Sequence, residues 1–454
     1  MTFVEAAGGI PTLPGERGHS CPQQPPRGSA LAASHQACSL SDVIADENVR
    51  APGCRAGPAL EPAVFAALRR RTVLEGFKWD PQVGDAAVLA PFPLVMQRSV
   101  WEQLAGQAEQ LTAEAIAAEA EVACRPDLLR QLGLPRALTS VLGDRVPLTP
   151  PAGRVFRFDF HLTTEGWCIS EANSDVPGGY SEASYFTALM AEHFPGLRPA
   201  GDPGGVWAEA LADAAGPGGV IALLSAPGLI EDQQVIAYLA ARLRERGCRA
   251  HLTKPELIVW QDGIAYLEGV WYRGPLAAVV RFYQVEWLVR LKSRCDWRRF
   301  IRGGRTPVAN PGVAAISESK RFPLLWDRLS TALPTWRALL PETRNPRDVP
   351  WERDEAWLLK TAMCNTGETV SIRELLEARQ WRRIRRGARW FPGAWVAQRR
   401  FESVPLPTPF GPRHVCIGVY TVNGRAGGVY ARLALKPLID CTASDAALLL
   451  EDDE

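Results

Sequence analysis

The spacing of apolar positions divides this chain into stretches of different character. Residues 1–58 keep no period and are rich in Gly, Pro, Ser and Ala, which predicts a disordered or loosely attached extension. Helical periodicity begins with EPAVFAALRRRTVLEG. It resumes in a long helix from Arg98 to Val122, dense in good helix formers, giving a helical part over 59–150. The period then drops to two. RVFRFDFHL (154–162) sets Arg, Asp and His among apolar residues, TTEG makes a turn, and WCISEAN (167–173) returns as the second strand of a hairpin. GGVIALLSA (218–226) reads as a buried strand followed by the helix IEDQQVIAYLAARLRERG, a βα order. Strands at IVWQDG, AYLEGVWY and AAVVRFY complete a part spanning 151–310. Over 311–454 a helix around SKRFPLLWDRL precedes the strands AWLLK and TVSI and the helix RELLEARQWRRI. AWVAQRRFE, RHVCIGVYTVNG and AGGVYARLAL follow as strands, and no internal repeat is visible.

The hairpin carries chemistry. Residues i and i+2 of a strand face one side, so Glu171 and Asn173 project together, and Asp159 reaches the same space from the partner strand. Two carboxylates and an amide oxygen suit a hard cation such as Mg²⁺, which keeps waters and binds phosphates. Arg157 points the same way. The competing reading is an edge hairpin with solvated polar residues, and the hairpin alone leaves both open. Lys360 ends an apolar strand before TAMCNTGE, a loop whose backbone N–H groups can cover phosphates. The loop does not fit the Walker pattern, and Lys320 and Arg432, taken singly, are ambiguous.

Composition removes other classes. The formal net charge is +1, so no global electrostatic case exists for a nucleic-acid or membrane partner. The ten cysteines are scattered without a C-x-x-C, which suggests neither zinc nor a disulfide framework. No apolar run is long enough to span a bilayer and no secretory signal opens the chain, so the cytoplasm is the default location. The run WRRIRRGARW (381–390) reads as a solvated helix end. No Ser-His-Asp or Cys-His nucleophile arrangement is apparent.

Taken in order, GFKWDPQVGD (76–85), RFDFHLTTEGWCISEANSDVPGG (157–179), ISESKRFPLLWDRL (316–329), WLLKTAMCNTGETVSI (357–372), WVAQRRFE (395–402) and IGVYTVNGRAGGVYARLALKPLID (417–440) resemble the glutathionylspermidine synthase family. The resemblance runs from about residue 60 to the C-terminus. It implies an α+β ATP-grasp fold in permuted order, the metal ligands preceding the phosphate lysines, with a pre-ATP-grasp-like lobe within 151–310 and an ATP-binding lobe in 311–454. It implies ATP and Mg²⁺ as cofactors and an ADP-forming carboxylate–amine ligase whose substrates are a small-molecule or peptide carboxylate and an amine. Asp159, Glu171 and Asn173 would hold the metal, and Arg157 would stabilise the transferring phosphoryl group. Lys320 and Lys360 would meet the ATP phosphates beneath the Thr366–Gly367 loop. Gln398, Arg399, Arg400 and Phe401 would form the adenine strand, and Arg432 would lie in the late ATP-contacting segment.

Two departures limit the resemblance. No amidase domain precedes the synthetase part, so amidase activity is not expected. Where the family places hydroxyl residues near its thiol peptide, this chain has Val176-Pro177-Gly178-Gly179, expected to be an apolar, mobile turn, which leaves glutathione unassigned as the substrate. Glu231 and Asp232 fall near the family's amine and peptide contacts, although acids at a helix start also suit its dipole. An ATP-binding scaffold without ligase activity and a small-molecule kinase are the alternative readings. No oligomeric state is assigned.

Overall fold

The computed structural model describes residues 53–83, 86–143, 152–291, 293–363 and 370–453. At its centre is a five-stranded antiparallel sheet in the order Ser444–Ala446, Arg425–Ala434, His414–Val422, Val155–Thr163 and Gly166–Asn173. The hairpin from the middle of the sequence is thus zipped to a hairpin from its end, Phe160 pairing with Ile417 and Val155 with Val422. Alternation fixes what each face does. Phe156, Phe158 and Phe160 share one face with Ile417 and Val419, and this face packs in one core cluster with Leu104, Ala108, Leu111 and Ala115 of the helix Arg98–Ala123. Trp336 locks that layer: its ring meets Phe158 edge-on and its indole N–H donates to Leu111 O at 2.9 Å.

Beside this layer stands a parallel sheet, Val308–Ala309, Ala278–Phe282, Val220–Ser225 and Arg249–Thr253, with the helix Ile230–Glu245 after its Val220–Ser225 strand. The βα order expected over 218–247 therefore holds. A three-stranded antiparallel sheet, Thr343–Arg344, Trp395–Arg399 and Trp357–Thr361, carries Lys360 and Gln398.

Several expectations are corrected. Cys54–Ala56, inside the expected extension, forms a strand on Leu94–Gln97, and Leu94–Gln97 pairs in turn with the C-terminal strand Leu448–Glu451. The first 52 residues lie outside the described residues. The expected helix SKRFPLLWDRL is a 3-10 turn over Phe322–Arg328, consistent with Pro323 inside it. Among the described residues TVSI contributes a single bridge, Ser371 to Leu359. RELLEARQWRRI divides into a short turn, Arg373–Leu375, and a helix, Ala378–Trp390, that starts from a reciprocal Glu377–Gln380 capping box. The described residues belong to one unit, and the central sheet joins strands from both sides of the expected boundary at 310.

A buried polar network ties these layers together behind the hairpin. Arg154 donates to Glu119 at 2.8 Å and to Ser174 O at 2.5 Å, and Ser317 bonds both Glu119 and Ser174. Glu119 comes from the long helix, so one ion pair fixes the helix, the first strand and the end of the second. Arg154→Met leaves that carboxylate buried without its cation and is expected to cost about 3–5 kcal/mol, read from urea midpoints; the Glu119→Gln/Arg154→Met double variant should recover part of the loss.

Candidate active site

Directly paired residues of an antiparallel sheet face the same side. The face opposite the phenylalanines therefore reads as rows across the strands. One row runs Tyr430, Gly418, Asp159, Glu171; the next runs Gly428, Tyr420, Arg157, Asn173; a third holds Asp445, Arg432 and Cys416. The expected coincidence of Asp159, Glu171 and Asn173 is thus found. A register shift after Asp159 leaves Ser170 as an extra residue, which re-aims the strand at this point.

Arg157 clasps Asp159 through two bonds, Nε to Oδ1 at 2.7 Å and Nη2 to Oδ2 at 2.9 Å, while Nη1 donates to Gly178 O at 3.1 Å. Gly418 makes this possible, because a Cβ there would stand 2.8 Å from Arg157 Cδ. Asn173 Nδ2 donates to Asp159 Oδ2 at 3.2 Å, so its amide oxygen is the atom a cation would meet. His161, on the same face, bonds Ser170 Oγ at 3.0 Å, and burial pushes its imidazole down to about 4, leaving it neutral.

The lysines arrive from other elements. Lys320 Nζ lies 3.3 Å from Glu171 Oε2 and 3.5 Å from Glu318 Oε1. Lys360 donates to Ser170 O at 2.9 Å. Burial alone would raise the Glu171 carboxyl, but Lys320, Lys360 and Arg157 together outweigh it and hold the group down at about 2. For Lys360 burial prevails over the attraction of Glu171, and the amine falls to about 8. Glu171, Lys320, Lys360, Ser170, Gln398 and Trp336 line one cleft.

Other expected residues are placed differently. Gln398 reaches the cleft but also donates to Thr343 Oγ1 at 3.0 Å. Arg399 lies over the Trp357 ring and near Glu342 and Asp354, and Arg400 bonds Glu374, so both side chains are engaged with neighbouring residues. Phe401 packs on His161, with ring centroids 5.0 Å apart. Arg432 donates to Asp440 O at 2.5 Å, and its buried Nε has no hydrogen-bond partner among the described residues. Thr366 and Gly367 lie outside the described residues.

The Val176–Gly179 turn is not the mobile element expected. Val176 is buried in a core cluster with Tyr180, Trp207 and Tyr420, and Gly178 O accepts from both Arg157 and Tyr420 OH. Gly179 has φ +93°, and a Cβ there would stand 2.7 Å from Tyr420 OH, so the position requires glycine. Immediately after it, Ser181–Phe186 forms a π-helix, an element frequent at functional sites. From it Glu182 meets Lys78 Nζ at 2.5 Å, a lysine that also contacts Asp80 at 2.9 Å and Asp445 at 3.1 Å. The three acids outweigh burial and raise the Lys78 amine well above its ordinary value. Glu231 lies within the field of this cluster, and burial raises its carboxyl. Asp232 is raised to about 7 by burial and then by Glu231, and its Oδ2 is buried without a hydrogen-bond partner among the described residues. Lys78, Glu182, Asp445 and Glu318 were not singled out from the sequence. The one available signal was that Lys78 lies in GFKWDPQVGD and Glu318 in ISESK, both motif segments.

The model of the glutathionylspermidine synthase preATP-grasp family matches residues 74–445. The chain belongs to that family. Among solved structures, a glutathione synthetase-like effector from Globodera pallida, in its apo form, superposes with a TM-score of 0.58 at 10% identity, covering 86% of this chain and 98% of its own. That likeness shows the fold. A protein proposed to be a gamma-glutamylcysteine synthetase, from Methylobacillus flagellatus KT, gives a TM-score of 0.38 at 10% identity over 73% of this chain and 88% of its own. Comparison with curated protein sequences finds no match.

The oxygen donors fit a hard divalent cation. Glu171 is ionised, Asn173 offers an amide oxygen, and Asp159 keeps lone pairs beyond the two that Arg157 engages. Among the described residues no group of three or more His, Cys, Asp and Glu side chains is arranged to hold a metal ion. The charge balance has a measurable consequence. Glu171 is held at about 2 against an ordinary 4.5, so its stabilising contribution is full above pH 4.5 and is lost as pH falls towards 2. Urea unfolding of wild type and Glu171→Gln should show a stability gap that is widest at neutral pH and closes below pH 4.5.

Proposed function

We propose that this protein is an ATP-dependent carboxylate–amine ligase of permuted ATP-grasp order, ADP-forming and magnesium-dependent. The observation that carries the reading is the cleft itself. Glu171, from the hairpin, and Lys320, Lys360 and Gln398, from later segments, converge there although they are far apart in sequence. Anionic phosphates are what a buried and a half-buried lysine beside an ionised carboxylate and a hard-cation donor set would hold.

In this reading Lys320 and Lys360 bind the phosphates, and the strand of Gln398, Arg399, Arg400 and Phe401 offers backbone groups to adenine. Both arginine side chains are already engaged elsewhere, which supports a backbone role for that strand. Mg²⁺ held by Asp159, Glu171 and Asn173 supplies charge neutralisation at the phosphates. Arg157, fixed by Asp159 and Gly178 O, keeps N–H groups for charge on the transferring phosphoryl group, and preorganised charge of this kind is worth about 3–4 kcal/mol per well-placed donor. Arg432 brings a further buried donor to the same face. The γ-phosphoryl group passes to a substrate carboxylate, and an amine displaces phosphate to form the amide. No protein nucleophile takes part. The acids beyond the Pro-Gly-Gly turn, Glu231 and Asp232, support an ammonium-bearing acceptor, with Val176 packed beneath.

The test is ADP release with Mg²⁺ over a panel of small peptides and polyamines, with mass spectrometry of the product. Turnover requiring both a carboxylate and an amine, yielding an amide, and falling at least 100-fold in Glu171→Ala and Lys360→Ala is the expected result. A phosphorylated product would show a kinase, and ATP binding without turnover a scaffold. ATP affinity should also fall as pH rises above about 8, where Lys360 loses its charge, by up to about tenfold per pH unit; Lys360→Arg should flatten that profile.

A further inference from the structure

The helix Ala378–Trp390, ARQWRRIRRGARW, carries six arginines and no acid. Its apolar stripe is fully used: Trp381, Ile384 and Ala388 pack with Trp351, Trp357, Leu359 and Ala397. The opposite side is not. Arg379, Arg383, Arg386 and Trp390 follow at i, i+4, i+7 and i+11, one line along the outer face, flanked by Arg382 and Arg389. All are exposed. Arg389 approaches Glu352 at 3.5 Å, while Arg379, Arg382, Arg383, Arg385 and Arg386 make no ion pair among the described residues. Like charges at these spacings repel, so the face carries a standing cost that an anionic partner would relieve. At the end of the line Trp390 and its neighbour Phe391 protrude, 72% and 71% exposed. The near-neutral total charge averages this face away.

We propose that this face docks the protein on an anionic phospholipid bilayer. Arginine, with its planar fork, is the cation suited to phosphate oxygens, and all six basic residues of the helix are arginine. A nucleic-acid duplex would supply the same phosphates but no apolar phase. Two adjacent exposed aromatics beside a basic row match the headgroup–acyl boundary, where amphipathic rings settle. The attachment is peripheral, because the stripe that could insert is locked in the domain and no helix among the described residues is long and apolar enough to cross a membrane. Docking leaves the nucleotide cleft open. The helix shares its core with Trp357, Leu359 and Ala397, whereas Lys360 and Gln398 alternate to the other face of that sheet.

Sedimentation of the full chain with phosphatidylglycerol or phosphatidylcholine vesicles at low ionic strength tests this. Binding should be selective for phosphatidylglycerol and weaken with salt. It should drop roughly 100-fold in Arg379→Gln/Arg383→Gln/Arg386→Gln, about fivefold per arginine. That variant should stay folded by circular dichroism, since it removes only exposed, repelling charges. Lipids brominated in the acyl chain should quench tryptophan emission in wild type and less in Trp390→Ala, which tests insertion of that ring. Equal binding to both lipids, undiminished binding by the triple variant, no difference in quenching, or tighter binding to a DNA or RNA duplex at matched salt would overturn the proposal.

Discussion

Everything in this molecule that bears on chemistry hangs on one fully enclosed strand, Val155–Thr163, whose two sides have opposite natures. Three phenylalanines bind it to the long helix; Arg157, Asp159 and His161 emerge on the reverse, also buried. Charges removed from water must be paired, and they are: Arg157 with Asp159, Arg154 with Glu119, Asp175 with Arg281. The pairing does more than neutralise. Arg154–Glu119 and Asp175–Arg281 join the long helix and the parallel sheet to the open end of the hairpin, while Arg157–Asp159 lies within its first strand and holds a donor of the candidate metal site in place.

The consequence is a face with graded charge. Lysines 320 and 360 stand at the Glu171 end, and the Lys78 cluster with its three acids stands at the Asp445 end. The Pro-Gly-Gly turn lies between, pinned by Arg157 and Tyr420. In a ligase one end would take the nucleotide and the other a cationic acceptor, and the turn would set the boundary where a carboxylate meets both.

Much of this was legible in the sequence because strand alternation is local. The period of two in RVFRFDFHL and WCISEAN gives the hairpin and places Glu171 and Asn173 on one side without knowledge of the rest. The order of the motif segments gives the family. What stayed hidden depends on long-range partners. Lys78, Glu182 and Asp445 are separated by over a hundred residues at the nearest, and no local period marks them as neighbours. The turn after Glu171 looks loose from Gly178 and Gly179, yet Gly179 is there to admit Tyr420 rather than to move. Phe322–Arg328 looked helical by composition, but the chain tightens to 3-10 geometry around Pro323. The arginine helix concentrates charge on one face, which the near-neutral total charge averages away.

The proposed ligase needs the hairpin donors and the two lysines to act as one magnesium–nucleotide site. Calorimetric titration of ATP with and without Mg²⁺, on wild type and Glu171→Gln, addresses it most directly. A shared site gives tight binding in wild type that weakens when Mg²⁺ is chelated, with the magnesium effect largely gone in Glu171→Gln. ATP affinity that is the same with and without Mg²⁺, in both proteins, would contradict it.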